Sequence, residues 1–177
     1  MLLDPRIDEW HGFFVVTGEE EKVKERIKYR LQDDYTVVVP KRSLKIRRGG
    51  IWRVESRTLF PGYVLVNGSI TTDIYYRLKN IPGILRLLMT GSAVASIERS
   101  EMAVLSRLIS NNEEIGFSNV FMENGRVQVV DGPLFSLEGF ILSIDHRKER
   151  AKVRLTFLGE ERTVDLGISL LKPVSAV

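Results

Sequence analysis

The sequence predicts an α+β fold, an antiparallel sheet with helices packed on it, followed by a small β-barrel. Three observations predict it. Val23, Ile27 and Leu31 recur every four residues while Lys22, Glu25, Arg26 and Lys28 take other faces, the signature of an amphipathic helix lying on a core. Short apolar and β-branched runs flank that helix and return at Leu59 to Val66, which supplies the sheet. Beyond Asn124 the chain has only short runs separated by turn chemistry, and Val153, Leu155 and Phe157 alternate with Lys152, Arg154 and Thr156, one set inward and one outward.

In chain order, Phe13-Phe14-Val15-Val16 predicts the first strand, and Thr17 with Glu20 has the spacing of a capping box that opens the helix running to about Gln32. Val37-Val38-Val39 is the next strand, stopped by Pro40. Lys41 to Arg57 reads as an exposed hairpin turning at Gly49-Gly50. Leu59 to Val66 re-enters the core through the Pro61-Gly62 corner, where proline fixes φ and glycine allows the change of direction. A second helix fits Thr72 to Lys79 with Ile74 and Leu78 inward, ended by Pro82-Gly83. A third fits Ile97 to Ile109, burying Ile97, Val104, Leu105 and Leu108. The polar stretch 111–123 lacks a period and is expected to be a linker between a domain at 10–110 and one at 124–177. In the latter, strands are expected at Val127 to Val130, Gly139 to Ile144, Val153 to Phe157 and Thr163 to Leu166.

Composition narrows function. There is no cysteine and only two histidines, so disulfides and thiolate zinc sites are excluded and neither a metal nor a cofactor is expected. No long apolar run or signal-peptide pattern occurs around Asp4, Arg6 and Asp8, which predicts a cytoplasmic chain with no membrane partner, expected as a monomer. Phosphate-binding loops, nucleophile elbows and zinc-protease helices are absent, so a binding protein is expected rather than an enzyme.

Charge locates two surfaces. Between Lys41 and Arg57 stand seven basic residues, Lys41, Arg42, Lys45, Arg47, Arg48, Arg53 and Arg57, against Glu55 alone. A phosphate-tracking arm explains this bias, with Trp52 available to stack on a base; an edge hairpin guarded by charge explains it too. His146, Arg147, Lys148 and Arg150 crowd the tip of a barrel hairpin and continue as Lys152 and Arg154 on the outward face of the next strand. That edge suits RNA at a bulge or hairpin loop, where a widened groove admits side chains.

Two motifs carry a family resemblance. Phe60-Pro61-Gly62-Tyr63-Val64-Leu65-Val66, followed some way on by Asp131-Gly132-Pro133-Leu134-Phe135 and Gly139, resembles the NusG family of transcription elongation factors, over nearly the whole chain. The resemblance implies a NusG-type amino-terminal αβ sandwich and a carboxy-terminal SH3-like KOW barrel. It implies that Phe60 and Tyr63 grip the clamp helices of the largest subunit of RNA polymerase, where a plain core role is the alternative for either, and that Thr71 and Thr72 stand where specialised relatives touch the polymerase gate loop; helix capping explains Thr71 equally well. Thr17-Gly18-Glu19-Glu20, Val39-Pro40-Lys41-Arg42 and Leu59 to Asn67 are similar to the specialised paralogue LoaP, which implies processive antitermination recruited by a nascent RNA hairpin. The alternative is a general elongation and termination factor whose KOW domain bridges polymerase to ribosome or Rho. Rich in β-branched residues and broken by Gly132, Pro133, Gly139 and Gly159, the rear segment predicts a permanent barrel rather than a helical hairpin.

Overall fold

The structure, a computed structural model, describes residues 9–110 and 112–172. The expected leaderless start at Asp4 to Asp8, Asn111 of the expected linker and the last residues of the expected barrel domain, 173–177, lie outside the described residues.

The chain opens with β1 (Trp10–Val15), then α1 (Glu20–Leu31), β2 (Thr36–Val38), the hairpin β3 (Lys41–Arg48) and β4 (Ile51–Thr58), and β5 (Tyr63–Asn67). It continues with α2 (Thr72–Lys79), β6 (Ile84–Leu87), a small hairpin of β7 (Met89–Thr90) and β8 (Ala93–Val94), and α3 (Arg99–Leu108). The rear part holds β9 (Glu114–Ile115), β10 (Ser118–Glu123), β11 (Arg126–Asp131), β12 (Ile141–Asp145), β13 (Arg150–Phe157) and β14 (Glu160–Leu171).

The front sheet has the order β2-β5-β1-β6, with β1 antiparallel to both β5 and β6. Helix α1 seats Val23, Ile27 and Leu31 against it, as its four-residue period requires, and α2 seats Ile74 and Leu78. The rear sheet has the order β11-β10-β14-β13-β12 and curls into a half-barrel, β10 running parallel to β14. Along β13 the alternation is complete: Ala151, Val153, Leu155 and Phe157 are buried, Lys152, Arg154 and Thr156 exposed.

Two expectations need correction. The stretch 111–123 carries strands instead of a free tether: β9 pairs in parallel with β3, and β10 is an inner strand of the half-barrel. Its beginning is fastened by Glu113, whose carboxylate accepts from Lys24 Nζ at 2.7 Å and from the Val39 amide at 3.1 Å. A polar stretch without a period gives no sign of pairing to strands far away in sequence, so it reads as coil. The second correction concerns separateness. One buried cluster runs from Trp10, Leu59, Phe60 and Leu105 in the front to Val153, Phe157 and Leu166 in the rear.

Candidate functional site

The corner at Pro61-Gly62 is built from a distance. Gly62 has φ 85°, and its N–H donates to Glu20 Oε1 at 2.8 Å while the Gly18 N–H donates to Oε2 at 2.9 Å. Glu20 is therefore a buried carboxylate that staples the corner to the start of α1. The expected capping box with Thr17 does not form: the N-cap is Glu19, without a side-chain cap bond. A capping box would give the Glu20 carboxylate one backbone N–H, and here it accepts two, from Gly18 and Gly62.

Phe60 and Tyr63 stand on either side of this corner. Phe60 is 2% exposed and stacks on Phe157 of β13, ring centroids 4.1 Å apart and nearly parallel. Tyr63, half-buried, meets the same Phe157 ring edge-on at 5.3 Å and Phe14 at 5.5 Å. Arg162 of β14 lies over the Tyr63 ring at 5.1 Å and donates from Nη2 to the Tyr63 hydroxyl at 3.3 Å. The rear half-barrel thus covers the corner. Buried Glu101 of α3 holds it there, accepting the Leu158 and Gly159 amides of the β13–β14 turn at 3.0 and 2.9 Å.

The basic hairpin is less free than its composition suggests. Lys41 pairs with Glu21 at 2.5 Å, Arg42 donates to the Asp165 carbonyl at 2.8 Å, Lys45 pairs with Glu149, and Arg48 and Arg57 share Glu55. Arg42 and Lys45 are spent on the rear sheet. Burial lowers the Arg42 guanidinium from its ordinary range, against the opposing pull of Asp165. Among the described residues Arg47 and Arg53 form no ion pair, and beside them Ile51, Trp52 and Val54 are exposed on β4, an edge strand.

At the tip between β12 and β13, the Asp145 carboxylate accepts the Lys148 amide at 2.9 Å, closing the turn, and this bond holds its pKa below the ordinary value. His146, Arg147 and Lys148 are exposed there. Glu149, at φ 49°, turns back to Lys45, whose hydrogen bond draws the Glu149 carboxyl below its ordinary range. Arg150 departs from the expected exposed edge: it lies half-buried between Asp165, at 3.6 Å, and the Lys45 carbonyl, at 3.1 Å. Lys152 and Arg154 do face outward, Arg154 against Glu161 at 3.3 Å. Of the remaining candidates, Thr71 and Thr72 are exposed at the start of α2, where Thr71 Oγ1 caps the helix by accepting the Ile74 amide at 3.3 Å.

Comparison with known proteins bears on this geometry. Residues 8–106 match the family model described as NusG, transcription termination factor nusG. The chain belongs to the NusG family. It is 30% identical to the transcription termination/antitermination protein NusG of Bacillus subtilis over 89% of this chain and 93% of that protein, and 28% identical to that of Escherichia coli over 90% and 93%. The solved structure described as "Domain interaction in Thermotoga maritima NusG" has the same fold, with a TM-score of 0.59 and 23% identity over 93% of this chain and 96% of that one.

Four residues shape the NusG-family corner in ways the sequence did not show: Glu20, Glu101, Phe157 and Arg162. Glu20 read as the acid of a capping box, and Glu101 and Arg162 carried no local signal that set them apart. Phe157 was placed inward by alternation, which is right, but alternation does not say that the inside of the barrel continues into the front sheet.

Proposed function

We propose that this chain is a transcription elongation factor that docks on RNA polymerase through Phe60 and Tyr63, with Thr71 and Thr72 meeting the gate loop, and promotes processive antitermination. A front unit ending near Ile115 faces the polymerase. A rear KOW unit beginning at Ser118 meets a nascent RNA hairpin through His146, Arg147, Lys148 and Lys152, in the manner of LoaP. Arg47, Arg53 and Trp52 on the front hairpin add a second nucleic-acid contact.

One observation carries the reading. The corner already accepts an apolar and aromatic ligand, the Phe157 ring with the Arg162 guanidinium beside it, so its surface chemistry suits an apolar helix tip with polar flanks. The same observation adds a condition: the rear half-barrel must leave before polymerase can bind. Tyr63→Ala is expected to keep the circular dichroism of the folded chain and to abolish polymerase capture; unchanged capture would remove the corner from the interface.

A second reading has its own support. The relatives in Bacillus and Escherichia carry the name termination/antitermination protein NusG and align with both halves of this chain, which favours a general factor bridging polymerase to ribosome or Rho. Arg147→Ala with Lys148→Ala decides between them. Loss of sequence-specific capture of a leader RNA supports recruitment by RNA, and a wild-type level of nonspecific RNA retention in the variant supports the general factor.

A further inference from the structure

Beside the start of α2 lies a pocket of about 410 Å³, between the beginning of β1, the β5–α2 loop and the β7–β8 hairpin. His11 and Glu9 form one side, Tyr75 and Tyr76 another, and Thr71 and Ser92 line the rim. His11 is 2% exposed, and its Nδ1 lies 3.0 Å from the Ala95 carbonyl oxygen. A carbonyl only accepts, so in the neutral ring Nδ1 carries the proton and Nε2 is left an acceptor. That buried Nε2 has no hydrogen-bond partner. The Glu9 carboxylate, 3.8 Å from it, is another acceptor.

Two acceptors converging without a donor between them define what is missing. A native fold leaves few buried polar atoms unpaired, and such an atom calls for a water, an ion or a ligand group to complete it. Among the described residues no lysine or arginine lines the pocket, and Glu9 gives it negative charge. Phosphate and carboxylate ligands are thereby disfavoured. The rings of Tyr75 and Tyr76 are 5.5 Å apart and nearly perpendicular, and Lys79 Nζ lies 5.9 Å from the centre of the Tyr76 ring, so one cation is already drawn to the tyrosine pair.

We propose that this pocket receives an arginine side chain of the partner polypeptide, its planar fork of N–H donors bridging His11 Nε2 and the Glu9 carboxylate. Arginine suits the site better than lysine because its donors are fixed in a plane and its stem can lie along a tyrosine ring. The site adjoins Thr71 and Thr72, so the inference deepens the polymerase reading and rests on it for the identity of the partner, though not for the chemistry of the pocket. Glu9 and His11 become specificity residues within that contact.

The test is an amide NMR titration of the full chain with Nα-acetyl-argininamide, using the uncharged citrulline analogue as control. Arginine amide is expected to shift Thr72, Tyr75 and Ser92 and the citrulline analogue to leave them in place. Glu9 is 72% exposed, so Glu9→Gln keeps the fold, and it is expected to weaken arginine binding about fivefold. Equal shifts from both probes, shifts scattered elsewhere, or none would overturn the proposal. The two readings fail separately: silence of the arginine probe with Tyr63-dependent polymerase capture intact removes only the pocket, whereas arginine shifts without polymerase capture leave the pocket and remove the partner.

Discussion

Glu20 concentrates more of the site into one side chain than any other residue. Its carboxylate is 5% exposed and is satisfied by two backbone N–H groups, from Gly18 and Gly62. Glu20→Ala strands both donors, and the expected loss of stability is about 2–3 kcal/mol, read as a lower urea midpoint at constant slope. A midpoint that does not move would mean the corner holds its shape without this carboxylate. Glu149 supplies a test in pH. Its folded pKa is depressed below the ordinary 4.5, chiefly by the hydrogen bond from Lys45. A depressed carboxylate contributes fully above its unfolded value, and that contribution is lost as pH falls through the folded value. The rear half-barrel should therefore loosen from the front hairpin as the solution is taken below pH 4.5, and Lys45→Met should flatten that acid response in the Leu170 amide shift. An acid response identical in Lys45→Met would exclude the pair as its origin. Neither role was legible in the sequence. The letters advertised a helix-start acid and a hairpin-tip acid, and their partners lie 42 and 104 residues away.

Elements were legible where their signal is local. The period of α1, the Gly49-Gly50 turn between β3 and β4, and the limits of α2 follow from neighbours within a few residues, and each forms as expected. Strand β9 was not legible because it pairs with β3 far along the chain; β10 has one local partner, β11 across the Asn124-Gly125 turn, but its parallel pairing with β14 is distant and carries no local signal. The same distance hides why Gly167 must be small. A Cβ on Gly167 would run into the Ser43 carbonyl of β3 and the Phe117 ring, and although a ring can turn aside, a backbone carbonyl in a paired strand cannot. Gly167→Ala is thus expected to push β14 away from β3 and break the bond from Arg42 to the Asp165 carbonyl, with both sheets intact. Amide shifts spreading through Lys41 to Lys45 would register the separation. Changes confined to the neighbours of Gly167 would show that the two sheets stay in contact.

For the whole molecule, the aromatic corner and the inside of the half-barrel end are buried on each other, so each surface is a competitor for the other's partner. Two clamps hold this closed form. At one side Glu101 accepts the Leu158 and Gly159 amides, and at the other Lys45 pairs with Glu149. A partner that binds only the uncovered corner has its apparent affinity reduced by the fraction of molecules that are open. Glu101→Ala removes charge-assisted hydrogen bonds that exist only in the closed form, and once the turn swings away its amides are satisfied by water, so the change favours opening by about 1.5–3 kcal/mol. If the closed form dominates in the free chain, capture of polymerase by Glu101→Ala should tighten by about 10- to 100-fold, while adding Tyr63→Ala to it should abolish the gain. Binding measured for the wild type, Glu101→Ala and the double variant separates cover from corner: a Glu101→Ala variant that stays folded yet binds no tighter would mean that the half-barrel does not compete for this surface, and a gain that survives in the double variant would place the polymerase contact somewhere other than Tyr63.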